Sequence, residues 1–232
     1  MIIAGSDRSK AGWLTLVLVN GVLKAHLYPD FNKLLQKQPA LDVLVADVPI
    51  GLPHEYPRQC DKLARETIKP RHNSVFMTPL RQVLDCSNHT EANSKHRELA
   101  GVGLSQQAFH ILPAICEVDN AIQAGEISAD ILHEGHPEVS FWAINGKQGI
   151  MDYKKTPVGH YFRRRLLERE FGEDHLPAIR KQFPLKRQAA DDDIVDALAM
   201  LWTAQRIAAG SAERIPAQPD RDETGIDMAI WY

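Results

Sequence analysis

At 232 residues, 44% of them hydrophobic, the chain can bury one substantial core, either as one α/β domain with insertions or as two small domains. A formal net charge of −3, with 25% charged residues, excludes a global electrostatic pull towards nucleic acid, so any such surface must be local. Three scattered cysteines (Cys60, Cys86, Cys116) without a Cys-x-x-Cys pair argue against a disulfide framework or a zinc knuckle and fit a reducing cytoplasm. No apolar run reaches membrane-spanning length, and the chain enters a strand-like segment directly after Met1 with no signal-peptide pattern.

Ile2-Ile3-Ala4-Gly5 reads as a buried strand ending at Ser6-Asp7, and Trp13 to Val19 as a second. Asn20-Gly21 joins that strand to Val22–Tyr28; Asn-Gly between two β-rich runs is the strongest short hairpin signal, because both turn residues must reach positive φ. Phe31 to Gln38 predicts a short helix stopped by Pro39, and Leu41 to Ala46 an apolar strand ending at Asp47 before Val48-Pro49. A continuous apolar run bounded by a proline fits a central strand buried on both faces.

From Arg58 the pattern is helical, with Cys60, Leu63, Ala64, Thr67 and Ile68 on one face and a basic stripe of Arg58, Lys62, Arg65 and Lys69 on another. A solvated face is the usual meaning of such a stripe. After a loop from Pro70 to Pro79, helices are predicted near Thr90–Ala100 and over Ser105–Ala124, the latter with a kink at Pro113. About residues 54–128 thus form a helical insertion before the fifth strand, Ala129 to Glu134. Gly135-His136-Pro137-Glu138 starts another helix, and Thr156 to Phe171 forms the next.

Between Lys154 and Arg187 ten basic residues face four acids, and from Gln188 onward nine acids face three arginines. Such segregation suits a phosphate-binding flank beside a metal centre, or two surfaces that pair with each other. The acidic block opens the last helix, Asp191-Asp192-Asp193-Ile194-Val195-Asp196, whose following run carries no charge until Arg206. Carboxylates are tolerated in a first turn, and Asp191 would serve as the cap. Capping does not account for Asp193 and Asp196, which stand three apart on one face and repel unless a cation sits between them. The tail, 210–232, holds a linker and then Met228 to Tyr232, an edge strand or a segment packed on the core.

Asp7 and Asp47 each terminate an apolar strand. If the first and fourth strands are parallel neighbours, both carboxylates emerge at the carboxyl edge of the sheet, about 5 Å apart, where open α/β sheets place their ligands. Glu134 and the mouth of the last helix would add to the same cluster. A carboxylate cluster without cysteine suits Mg²⁺ or Mn²⁺ rather than zinc. Two such ions about 4 Å apart could activate a water and stabilise a leaving oxygen in phosphoryl transfer with no side-chain nucleophile. The sequence accordingly has no Gly-x-Ser-x-Gly, no P-loop and no dinucleotide fingerprint.

Gly5-Ser6-Asp7 with Gly12-Trp13, Asp47-Val48-Pro49-Ile50-Gly51-Leu52-Pro53, Arg58-Gln59-Cys60-Asp61 with Ala64-Arg65, Gly103-Leu104-Ser105-Gln106, Glu134-Gly135-His136-Pro137-Glu138 and Asp192-Asp193-Ile194-Val195-Asp196-Ala197 together resemble the family called domain of unknown function 429, described as predicted nucleases. The resemblance runs from Ile3 almost to the last residue. It implies a single ribonuclease-H-like domain over 1–232, a five-stranded mixed sheet in the order 3-2-1-4-5 flanked by helices, which is also the topology of the strand reading. It implies too a hydrolase in which Asp7, Asp47 and Asp193 or Asp196 hold the metals. The Asp-x-x-Asp-Ala pattern from Asp193 is similar to that of RuvC-like junction resolvases. One departure is Asp7-Arg8-Ser9-Lys10, whose two basic residues could grip a phosphate or neutralise Asp7.

The expectation is therefore a metal-dependent nuclease. Its catalytic set is Asp7, Asp47, Glu134, Asp193 and Asp196, with Arg58, Lys62, Lys155 and Arg163 on the backbone of DNA or RNA. Such phosphate contacts would make binding strongly salt-dependent. The alternatives are a non-catalytic nucleic-acid-binding or regulatory module, and an actin-like or sugar-kinase-type ATP-dependent phosphotransferase, which would need a Gly-rich loop after the first acid. His133, His136 and His160 are left out of the catalytic set, since a lone histidine is more often a packing residue. The oligomeric state stays open.

Overall fold

The Asn20-Gly21 turn starts the sheet. In the computed structural model, which describes residues 1–38 and 40–232, β1 (Ile2–Ser9), β2 (Gly12–Val19) and β3 (Val22–Tyr28) run antiparallel. Val19 faces Val22, and Asn20 (φ 49°) and Gly21 (φ 80°) both take the left-handed conformation that a two-residue hairpin demands. β4 (Val43–Ala46), buried at every residue, pairs parallel with β1, and β5 (Leu132–Glu134) pairs parallel with β4. The strand order is therefore 3-2-1-4-5, as the sequence predicts.

Parallel neighbours need long crossovers, and these carry the helices. α1 (Phe31–Lys37) precedes β4; Pro39, read as its stop, lies outside the described residues. Between β4 and β5 come α2 (Gln59–Thr67), α3 (His89–Ala100), α4 (Gln106–His110) and α5 (Leu112–Gln123). The single kinked helix expected over 105–124 is two, broken at Ile111. Pro113 sits in the first turn of α5, where its missing N–H costs nothing, rather than in a helix interior. After β5 follow α6 (Pro137–Ile144), α7 (Pro157–Phe171), α8 (His175–Gln182) and α9 (Asp191–Ala208). The tail forms a two-stranded ribbon, β6 (Arg214–Ile215) with β7 (Ile230–Trp231), instead of an edge of the main sheet.

Period-2 alternation sends Trp13 and Val17 to a layer shared with Phe31, Leu34 and Ile115, and Leu14 and Leu16 to a layer shared with Phe141, Leu167 and α9. α9 is buried along the whole of Ile194–Ala204. It lies directly on β1 because of Gly5, where an added Cβ would stand 2.0 Å from the Leu201 nitrogen. Among the described residues no helix is long and apolar enough to cross a membrane. All three cysteines are free.

Candidate active site

The register of the two central strands brings the first two acids together. Ser6 stands opposite Ala46, and the Asp47 N–H donates to the Ser6 carbonyl at 2.9 Å, so Asp47, the residue after β4, stands beside Asp7, which lies within β1 because that strand runs on to Ser9 against β2 rather than ending at Ser6-Asp7 as expected. Both side chains line the same cleft, close enough that each carboxyl feels the other's charge. The close seating of α9 on Gly5 adds Asp196 from above. Lys154, in the loop before α7, reaches into the group and donates from Nζ to Asp196 Oδ2 at 2.6 Å.

Burial leaves these acids short of positive charge. Asp7, 8% exposed, is held well above the ordinary carboxyl range, first by burial and then by repulsion from Asp47, Asp196 and Asp193, with Lys154 offsetting only part. Desolvation also raises Asp47, against the pull of His136 and Lys154. Asp196 is pushed up to about 6 by burial, despite its lysine. Lys154 in turn is held firmly protonated by Asp196, Asp7 and Asp47. One ammonium thus faces three carboxyl groups crowded at one spot.

Several expected site residues have other partners. Glu134 accepts from Arg58 at both oxygens, 2.8 Å each, and from the Ile50 N–H at 2.7 Å, which removes it from the metal cluster. Arg58, 2% exposed, spends its other donors on Asp61 and on the carbonyls of Ile50 and Gly51, so it has none for a nucleic-acid backbone. Arg163, 1% exposed, clamps Glu138 at 2.9 and 2.6 Å and bonds the carbonyls of Asp152 and Gly159; it too is no phosphate contact.

Asp193 turns back to accept the Ala190 N–H at 2.7 Å, tying off the helix start, while Asp191 caps nothing and instead pairs with Arg180 and Lys186. The segregated charge along the chain is therefore partly two surfaces that meet. Lys155 is exposed beside Lys154. Lys62 is exposed too, but lines a separate basic hollow with Arg65 and Lys69. Arg8 turns to Glu117 and the Trp13 ring, leaving Lys10 exposed at the site's edge.

The site opens into a cleft of about 760 Å³, lined by Asp7, Asp47, Lys10, Arg71, Phe76, His136, Tyr153 and Lys154 among others. Its size is that of a ligand pocket. His136 is set at the start of α6 by Pro137, with Nε2 3.2 Å from the Ser74 carbonyl. A carbonyl only accepts, so Nε2 carries the proton and Nδ1, buried and without a partner, is a free acceptor in the neutral ring. Sequence reasoning missed His136 and Lys154. The signal for the first was a histidine placed directly between a strand-terminal acid and a helix-starting proline; for the second, nothing distinguished it from Lys155.

Among the described residues no three His, Cys, Asp or Glu side chains stand close enough to form a ready-made metal cage, so the multi-ion set of Asp7, Asp47 and Asp193 is not built. Mg²⁺, however, is commonly held by one or two carboxylates, several waters and the substrate phosphate. Asp7 and Asp47, adjacent and facing the cleft, fit that smaller role, and Asp196 Oδ1 is a buried acceptor with no partner.

The model of the family described as "Protein of unknown function (DUF429)" matches residues 5–221. No curated protein and no solved structure matches the chain.

Proposed function

This chain belongs to the family of unknown function DUF429, and we propose that it is a metal-dependent phosphodiester hydrolase acting on nucleic acid, a nuclease on a ribonuclease-H-like fold. The observation that carries the reading is the Asp7–Asp47 pair. Two carboxyls are forced together at the carboxyl end of the parallel β1–β4 pairing, in a cleft, with less positive charge than they need.

Asp7 and Asp47 would hold Mg²⁺ or Mn²⁺, with waters and the substrate phosphate as the remaining donors. When bound, such an ion lowers the pKa of a water and polarises a phosphoryl oxygen. His136 accepts the proton of the attacking water at Nδ1, the Ser74 carbonyl fixing its tautomer. Lys154, drawn away from Asp196, neutralises charge on the phosphate. The Glu138–Arg163 clamp ties α6 to α7 and so holds His136 and the Lys154 loop in place. The three free cysteines suit the reducing cytoplasm, where we place the protein.

The test is incubation with single-stranded, duplex, hybrid and branched DNA and RNA in Mg²⁺ or Mn²⁺. Cleavage by the wild type and not by Asp47→Asn or Asp7→Asn is expected; cleavage that survives both substitutions overturns the assignment. A second reading, a binding module without catalysis, is favoured by the Lys154–Asp196 pair, which already occupies part of the site. Nucleic-acid binding with no cleavage on any substrate would select it. For the phosphotransferase reading, Arg8-Ser9-Lys10 stands where a Gly-rich phosphate loop would be needed.

A further inference from the structure

The wall of the cleft opposite the strand ends is aromatic and cationic, a combination the hydrolytic chemistry does not need. Tyr153, 41% exposed, lines it, and the Arg71 guanidinium lies 5.0 Å from the centre of the Tyr153 ring. Arg71 Nε is buried without a partner and Nη1 only grazes the Met151 carbonyl at 3.5 Å, so this guanidinium is held by the ring rather than by an acid. Lys10 is exposed at the rim, and Lys154 lies between Tyr153 and the acids.

We infer that the cleft takes single-stranded nucleic acid, with a base stacked on the Tyr153–Arg71 pair while its phosphate points to Lys154 and the Asp7–Asp47 edge. The inference rests on the hydrolase reading for the place of the phosphate, but not for the stacking. In a duplex each base already stacks on its neighbours and offers no face to Tyr153. A single strand offers every base, and aromatic and guanidinium planes are the platforms on which unpaired bases settle. Depth argues the same way. Asp7 is 8% exposed at the floor of a ligand-sized cleft, reachable by one threaded strand more readily than by the outer face of a double helix.

The test is fluorescence anisotropy with a labelled 12-nucleotide single strand, as DNA and as RNA, and the matching DNA duplex, in EDTA and in Ca²⁺. Single strands should bind more tightly than the duplex. Tyr153→Ala should weaken single-strand binding about 5- to 150-fold, the loss of one stacked base, and Tyr153→Phe should stay close to wild type. Tyr153 is exposed enough that the alanine variant should keep its melting temperature, which is measured alongside. Equal or tighter duplex binding, or a folded Tyr153→Ala variant indistinguishable from wild type, overturns the inference. Metal-dependent duplex cleavage untouched by Tyr153→Ala would leave the hydrolase standing and this inference fallen. Tyr153-dependent strand binding without cleavage in any metal would do the reverse. No binding of any oligonucleotide in either condition overturns both.

Discussion

Two groups of carboxylates stand at or just behind the same cleft and have been given different electrostatics. Glu134 and Asp61 share Arg58, whose five N–H donors are all used, and Glu138 has Arg163 to itself. Asp7 and Asp196, buried, and Asp47, half-buried, share one lysine. The first group has two guanidiniums for its three acids and a hydrogen bond on every carboxylate oxygen, and its work is to hold the Ile50–Gly51 loop, α2, β5 and α6 in register. The second is left with an excess of negative charge that only a proton or an incoming cation can relieve. Burial alone therefore does not mark a functional acid; burial without a full set of partners does.

Breaking the matched group should have the largest effect. Arg58→Met strands Glu134 and Asp61 without a cation and should cost about 3–5 kcal/mol in urea unfolding, much of it recovered in the Arg58→Met/Glu134→Leu double variant. In the unmatched group a cation should stabilise. Mn²⁺ at about 100 times its dissociation constant should add roughly 2.7 kcal/mol to the wild type and nothing to Asp47→Asn, read as a thermal shift.

Smaller, and of opposite sign to Arg58→Met, is Asp7→Asn. By removing a buried charge that its neighbours repel, it should raise the metal-free melting temperature at neutral pH while abolishing cleavage. The pH dependence follows from the same excess. Asp196 binds its proton more tightly in the fold, at about 6, than at its ordinary 3.8. Its contribution to stability is thus full below 3.8 and lost as pH rises through about 6. The stability difference between Asp196→Asn and wild type should move in favour of the variant across that window. Least of all, Lys155→Ala should change stability by under about 0.5 kcal/mol, because its side chain is exposed and has no partner to lose.

Much of this was open to a reader of the residues. Asn20-Gly21 announces its hairpin because the turn's positive φ values restrict which residues can stand there, and the buried run before Asp47 announces a central strand through its length and bounding proline. Asp7 and Asp47 become neighbours only because the first and fourth strands pair in parallel, a condition the residues suggest and the fold meets. Periodicity, by contrast, could not say which cation of a basic stretch turns inward. Arg58 looked continuous with Lys62, Arg65 and Lys69, yet it precedes the first turn of α2 and points into the core, and Arg163 is buried beside Arg164 and Arg165, which stay half out. Both were read as phosphate contacts for that reason. Pro113 was read as a kink, although it is equally at home in the first turn of a new helix.

Local sequence therefore determined the strands, the opening hairpin and the acid that follows the fourth strand, since these depend on side-chain period and turn stereochemistry within a few residues. Tertiary structure alone decided the charge pairing. Whether an acid is matched depends on residues tens of positions away, 76 between Arg58 and Glu134 and 42 between Lys154 and Asp196, brought into contact only when the helices close on the sheet. Ion pairs have no period along a chain, and at this cleft they separate the acids that hold the fold from those left free to act.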